Sequence, residues 1–167
     1  MLDRHSALEG AQPYNGNGLD ICEAPDFALT QYAGSEKELK KALGKIPTRV
    51  GIALKNDGRI LLRINPSQIW LVGEPVKTEA CVSTTLSSSR TRIAVEGENA
   101  RAVLAKLAAI DFHPKQFKST MFALTGIHHT SVLIHCVNEN KFYVYAMRTF
   151  ALSVLKAVTD AGLEFAA

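Results

Sequence analysis

Cysteine is scarce in this chain and poorly spaced for chemistry. Three occur in 167 residues, at Cys22, Cys81 and Cys136. The number is odd and no C-x-x-C pair is present, so neither a disulfide framework nor a zinc ribbon is indicated. They read as reduced small hydrophobes in a cytoplasmic protein. Long apolar runs are lacking as well. No window approaches the roughly 18 residues that a membrane span needs, and the opening MLDRHSALEGAQ has no apolar core of a secretory signal. Charge of one sign is not gathered anywhere: 19 Lys and Arg against 16 Asp and Glu, net +3, are scattered along the chain. A nucleic-acid arm and a basic membrane patch are therefore excluded. Neither G-x-x-x-x-G-K-[ST] nor G-x-G-x-x-G occurs, so no phosphate loop is present. The Ser87-Ser88-Ser89 run stands outside any G-x-S-x-G elbow, with no His and Asp partners recognisable.

What is present is an ordinary globular composition, 47% apolar, in a length suited to one domain or two small lobes. The stretch LSSSRTRIAVEGENARAVLAKLAAIDFHP, from Leu86 to Pro114, organises the rest. Thr91, Ile93 and Val95 alternate with Arg90, Arg92 and Ala94 as a strand. Gly97 breaks that strand, and Glu98 and Asn99 suit a helix N-terminus, with Asn99 as the capping amide. Ala100, Val103, Leu104 and Leu107 then form a core-facing helical stripe, which leaves Arg101 and Lys106 on the wet side.

Before this unit, residues 1–18 carry glycines and little periodicity and are expected to be a flexible leader. Residues 19–32 read as short extended pieces broken by Pro25. Ser35 and Glu38 form a capping box for a helix ended by Gly44 and Pro47. A hairpin follows, with Asn56-Asp57-Gly58 in a loop of three or four residues, and then the buried strand Ile69–Val72. After Pro114 comes a basic loop to Ser119, then a hairpin bent at His128-His129-Thr130 and a strand over Phe142–Ala146. A last helix is capped by Thr149 and frays near Gly162. The groupings strand–helix–hairpin–strand recur, which predicts an α+β fold of two ferredoxin-like β-α-β-β halves, about 19–78 and 79–167, with helices on one sheet face.

Few residues in this chain suggest chemistry. His128 and His129 point to opposite faces of an extended backbone, and Cys136 faces away from His135, so no metal set assembles with His113. Asp111 is the best single carboxylate, and as a turn residue it caps. Trp70, the only tryptophan, is a core or interface anchor. Arg90 and Arg92 share a strand face and Arg148 precedes the last helix. Guanidinium groups suit bidentate pairing with acids, so the Arg90 and Arg92 face is either solvated or paired, and the three are candidates for an interface or an internal brace.

Three segments carry a resemblance: INPSQIWLVGE (64–74), LSSSRTRIAVEGENARAVLAKLAAIDFHPKQF (86–117) and YAMRTFALSVLKAVTDAGL (145–163). They resemble the γ subunit of heterotetrameric sarcosine oxidase, a small relative of the folate-binding T protein of glycine cleavage. The resemblance implies a shortened T-protein-like domain and a structural role, with no catalytic, cofactor or metal site in this chain. It implies FAD, covalently attached FMN, NAD and tetrahydrofolate in the larger subunits, and the alpha, beta and delta subunits as partners. The assembly would demethylate sarcosine oxidatively, passing a one-carbon unit to folate and releasing peroxide. Related subunits serve N-methylglutamate dehydrogenase, and a stand-alone folate-binding aminomethyl-transfer module is the other alternative. In this setting Trp70 and the Asp111–Pro114 turn are expected to fix packing between the halves. Arg90, Arg92 and Arg148 are expected to meet acids on larger chains or brace the sheet.

Overall fold

Residues 5–165 are described by the structure, a computed structural model. The strands are β1 (Tyr14–Gly16), β2 (Leu19–Glu23), β3 (Leu29–Ala33), β4 (Ala53–Asn56), β5 (Arg59–Asn65), β6 (Gln68–Val72), β7 (Val82–Thr85), β8 (Arg90–Glu96), β9 (Phe122–Ile127), β10 (Thr130–Asn138) and β11 (Lys141–Met147). The α-helices are α1 (Glu36–Leu43), α2 (Ala100–Leu107) and α3 (Ala151–Gly162). They build an α+β fold with two antiparallel sheets, ordered β1-β2-β8-β11-β10-β9 and β4-β5-β6-β3-β7.

Each sheet contains the same connection. In one, β3-α1-β4-β5-β6 brings β6 back beside β3. In the other, β8-α2-β9-β10-β11 brings β11 back beside β8. This is the strand–helix–hairpin–strand order expected from periodicity. The additions differ: β7 extends the first sheet, whereas β1 and β2 extend the second, to which α3 is added as a packed helix.

Contacts divide the chain into two units, one of Asp26–Ser88 with Thr120–Phe122 and one of the remainder. The division departs from the boundary expected near residue 78, because β2 pairs with β8 and β7 pairs with β3, so each crosses that boundary. Residues 1–4 of the expected leader lie outside the described residues. The rest of that leader is tied down. Tyr14–Gly16 pairs with Leu19–Ile21, Leu8 is buried, and the Tyr14 hydroxyl donates to Gly162 O at 2.8 Å.

In the unit around Asp26–Ser88, the Ser35–Glu38 capping box forms as expected. Both the Glu38 N–H to Ser35 Oγ bond and the return bond from Ser35 N–H to Glu38 Oε2 are made. Leu39 then packs with Tyr32, Ile46, Leu61, Ile69 and Leu71. The β4–β5 loop is tighter than expected, since Asn56 pairs with Arg59 and only Asp57 and Gly58 turn the chain. Both have positive φ, 47° and 76°, which is what a two-residue type I′ turn requires. Arg63 is buried and donates to Pro47 O at 2.9 Å, Pro66 O at 3.1 Å and the Glu36 carboxylate at 3.2 Å.

In the other unit, Ile93, Val95, Ile134, Cys136, Phe142 and Val144 form one fully buried sheet face. α2 lies on this face, because its Arg101 sits over the Phe142 ring and donates to Cys136 Sγ. α2 also packs on α3. Two helix starts differ from expectation. Asn99 makes no side-chain cap and donates instead to Asn17 O at 3.0 Å, so its amide holds the β1–β2 turn. Thr149 sits within a 3-10 turn over Arg148–Phe150, and α3 begins at Ala151 without a side-chain cap.

Candidate functional site

The strand pattern that put Arg90 and Arg92 on one face also selects their neighbours. Across the β8–β11 ladder Arg92 faces Tyr145 and Ala94 faces Tyr143, and β10 places His135 opposite Tyr143. The face opposite the helices therefore carries Arg90, Arg92, Tyr143, Tyr145 and His135. Arg92 stacks over Tyr143 at 4.6 Å, and Tyr143 meets Tyr145 edge to face at 6.4 Å. Arg92 Nε donates to Ala24 O at 3.1 Å and Nη2 to Pro25 O at 3.2 Å. These contacts tie the segment after β2 to the sheet, a bracing role for the guanidinium within this unit.

Electrostatics on this face follow burial. His135 is almost fully buried, its Nδ1 has no hydrogen-bond partner among the described residues, and burial pushes its pKa down to about 4. The same effect pushes the Tyr145 phenol up to about 12, against the opposing pull of Arg92, and lowers Arg90. All three shifts favour the neutral form, as expected where desolvation dominates. Arg90 Nη1 also donates to Ser89 O at 3.3 Å.

The structure does not bring the remaining sequence candidates to this face. Phe112 contacts Phe142 at 6.1 Å, which puts the Asp111–Pro114 turn on the helix side of the sheet. There Asp111 Oδ1 accepts the His113 N–H at 2.9 Å, and His113 Nδ1 accepts the Lys115 N–H at 3.2 Å. Asp111 is thus a turn-capping residue. The Arg148 guanidinium reaches His5 O, while its own N–H donates to Ser89 O at 3.0 Å. Trp70 is buried in the other unit and donates to Gln31 Oε1 at 3.1 Å. His128 and His129 turn the β9–β10 hairpin, with His128 at φ 51°. Among the described residues no three His, Cys, Asp or Glu side chains converge on a metal site, and no helix is long and apolar enough to cross a membrane.

One residue that sequence reasoning left in water proves central. Arg101 donates to Phe112 O at 2.6 Å, Phe117 O at 3.0 Å and Glu139 O at 2.9 Å. Its guanidinium also lies 5.0 Å from the Phe142 ring centroid. Lys106, likewise expected in water, donates to Ala161 O at 3.0 Å and pairs with Glu164. Helical periodicity marks both as outward, and their acceptors are carbonyls of distant loops, which leave no trace in composition.

No protein-family model matches this chain, and a search of curated proteins finds no match. Solved structures do match. Heterotetrameric sarcosine oxidase from Corynebacterium sp. U-96, in complex with pyrrole 2-carboxylate, contains a chain that superposes with a TM-score of 0.86 at 21% identity, covering 98% of this chain and 97% of that one. The fold is shared. The glycine cleavage system aminomethyltransferase T from Bartonella henselae matches with a TM-score of 0.56 at 17% identity, over 86% of this chain and 46% of that one. The present chain thus has a T-protein-like α+β fold and spans under half of that aminomethyltransferase.

Proposed function

We propose that this chain is the non-catalytic γ-type subunit of a flavin-dependent sarcosine oxidase complex. The observation that carries the reading is the fold match to a sarcosine oxidase chain over nearly the whole length of both. The placement of the arginines supports it. Arg63, Arg92 and Arg101 each donate to backbone carbonyls of their own unit, as scaffold residues do.

On this reading the alpha, beta and delta subunits are the partners, in the cytoplasm. FAD, covalently attached FMN, NAD and tetrahydrofolate belong to the larger chains. The assembly converts sarcosine, tetrahydrofolate and dioxygen to glycine, methylene-tetrahydrofolate and hydrogen peroxide. The flavins supply the two-electron oxidation, and this chain supplies surface. Its braced sheet faces hold that surface rigid, which lowers the ordering cost of assembly.

The test is co-purification. The tagged chain is expressed with and without the larger subunits, and the eluate is examined by mass, visible spectrum and sarcosine-dependent peroxide release. A yellow, active, multi-chain complex supports the reading. The same complex oxidising N-methylglutamate instead would move the chain to that related dehydrogenase. A colourless monomer that ignores the larger chains and binds tetrahydrofolate would replace both with a free aminomethyl-transfer module.

A further inference from the structure

Residues 5–13, which lead into β1, lie against β2 and α3. Leu8 is the one buried residue of this segment, at 3% exposure, while His5, Glu9, Gly10, Gln12 and Pro13 are exposed. Among the described residues two hydrogen bonds join the segment to the rest of its unit. Arg148 Nη2 donates to His5 O, and Ser6 Oγ donates to the Glu23 carboxylate. The other bonds are internal. Leu8 N–H donates to Ser6 Oγ at 3.0 Å, Ala11 N–H donates to Leu8 O at 2.9 Å, and His5 pairs with Glu9. Both members of that ion pair are exposed, so it adds little. Gly10, at φ 79°, sits third in the turn from Leu8 to Ala11, the place where a type II turn requires a positive φ.

Two cavities meet at this segment. One, of about 660 Å3, runs along α3 past Leu152 and Leu163. The other, of about 200 Å3, has Leu8 and Pro13 on one side and Cys22, Glu23 and Leu155 on the other. Ala11, Gln12 and Leu155 line both. Leu155 belongs to the packed helix, so Ala11 and Gln12 are the partition. The smaller void also leaves Leu8 without partner atoms on that side, which weakens the only apolar anchor the segment has. One buried side chain and two outward hydrogen bonds leave little surplus over the entropy of ordering the segment, which places it at the low end of local stability. The chain just beyond is held firmly. Tyr14 OH donates to Gly162 O at 2.8 Å and Asn17 N–H to Phe165 O at 2.9 Å.

We propose that residues 5–13 form a hinged strap, which swings about Pro13 as a unit while the sheet and α3 stay folded. Closed, the strap separates the two cavities and covers the Glu23 carboxylate through Ser6. Open, it joins them into one cleft along α3, with Leu155 in the floor and the Glu23 carboxylate uncovered. The strap is a gate on that cleft, worked by one apolar anchor and one hydroxyl latch. It is built from this chain alone, whether or not the chain joins larger subunits.

Native-state hydrogen exchange, followed by NMR on the full-length chain in increasing sub-denaturing urea, tests the gate. The Ala11 amide is expected to exchange about a hundredfold or more faster than the β8 and β11 amides, at a rate insensitive to urea, as local opening does. Leu8→Ala is expected to speed Ala11 exchange about tenfold. Gly10→Ala strains φ in open space and is expected to speed it about fivefold. Nile red, a neutral apolar dye, is expected to bind the folded Leu8→Ala chain more tightly than wild type, because the open state is more populated. Ala11 exchange that matches β8 and β11 in rate and in urea dependence would overturn the gate, since the strap would then leave only with global unfolding. Variants that leave Ala11 exchange unchanged, or that speed it with no gain in dye binding, would overturn it as well.

Discussion

Arg92 on β8 lies over the ring of Tyr143, diagonally across the ladder to β11, at 4.6 Å. The same guanidinium donates to Ala24 O and Pro25 O, so one side chain joins two strands and the segment leaving β2. Two hydrogen bonds from a charged donor and a cation–π contact are together worth about 2–3 kcal/mol after allowance for partial exposure. Arg92→Ala is expected to lower the melting temperature of the isolated chain by about 5–10 °C. Arg92→Lys keeps the charge without the planar fork and is expected to recover less than half of the loss. From sequence alone Arg92→Ala is expected to weaken assembly more than folding. The internal contacts shift the expectation towards folding, and a melting temperature unchanged by Arg92→Ala would restore the interface role.

Gly97 ends β8 at φ 125°, and a Cβ built on it would stand 2.2 Å from Gly18 O and 2.6 Å from Gly18 C. Both are backbone atoms, held by the Asn99 N–H donating to Gly18 O at 3.1 Å, so nothing flexible can yield. Gly97→Ala is expected to destabilise the chain by about 3 kcal/mol or more, combining φ strain with displacement of the β1–β2 turn. Gly58→Ala, at a positive φ with open space around it, is expected to cost only about 1 kcal/mol. Urea unfolding of the two variants checks the contrast, and equal midpoints would refute the close-approach argument.

What could be read from sequence was local. The Ser35–Glu38 box, the hairpin signalled by Asp57-Gly58 and the alternation in β8 depend on residues within one or two turns, and each is present in the structure, the hairpin with a shorter loop than expected. The halves were also recognisable, because the strand–helix–hairpin–strand order is written twice. Partners distant in sequence were not legible. Arg101 looks like an outward helical residue until the loops at Phe112, Phe117 and Glu139 fold back to it. Asn99 looks like a cap until the turn at Asn17 arrives to take its amide. Tyr14 belonged to a stretch too rich in glycine to read as a strand, and its hydroxyl finds Gly162 at the far end of the chain.

Arg101 is the staple of its end of the sheet. Removing it leaves Phe112 O, Phe117 O and Glu139 O without their donor and takes the cation from the Phe142 ring. Arg101→Met fills much of the space without the hydrogen bonds and is expected to cost about 3 kcal/mol or more. Amide exchange should speed up first around residues 112–117, which this guanidinium ties to the helix. Uniform acceleration across the unit, with no local excess, would count against the staple.

His135 connects burial to pH. Its folded pKa is pushed down to about 4, while an unfolded histidine titrates near 6.5. Between those values the unfolded chain binds a proton that the folded chain refuses. The contribution of this residue is therefore intact above about pH 6.5, falls by up to about 1.4 kcal/mol per unit as the pH drops, and levels off below about pH 4. Carboxylates such as Glu36 and Glu38, held below their usual range by Lys40 and by Ser35 respectively, lose their contributions at the acid end of the same titration. A single pH profile mixes the two effects, and a variant separates them. His135→Phe keeps the ring and removes the titration, so its stability should stay nearly flat from pH 7 to 5 while the wild type declines. Parallel profiles for the two proteins over that interval would mean that His135 is protonated in the folded chain.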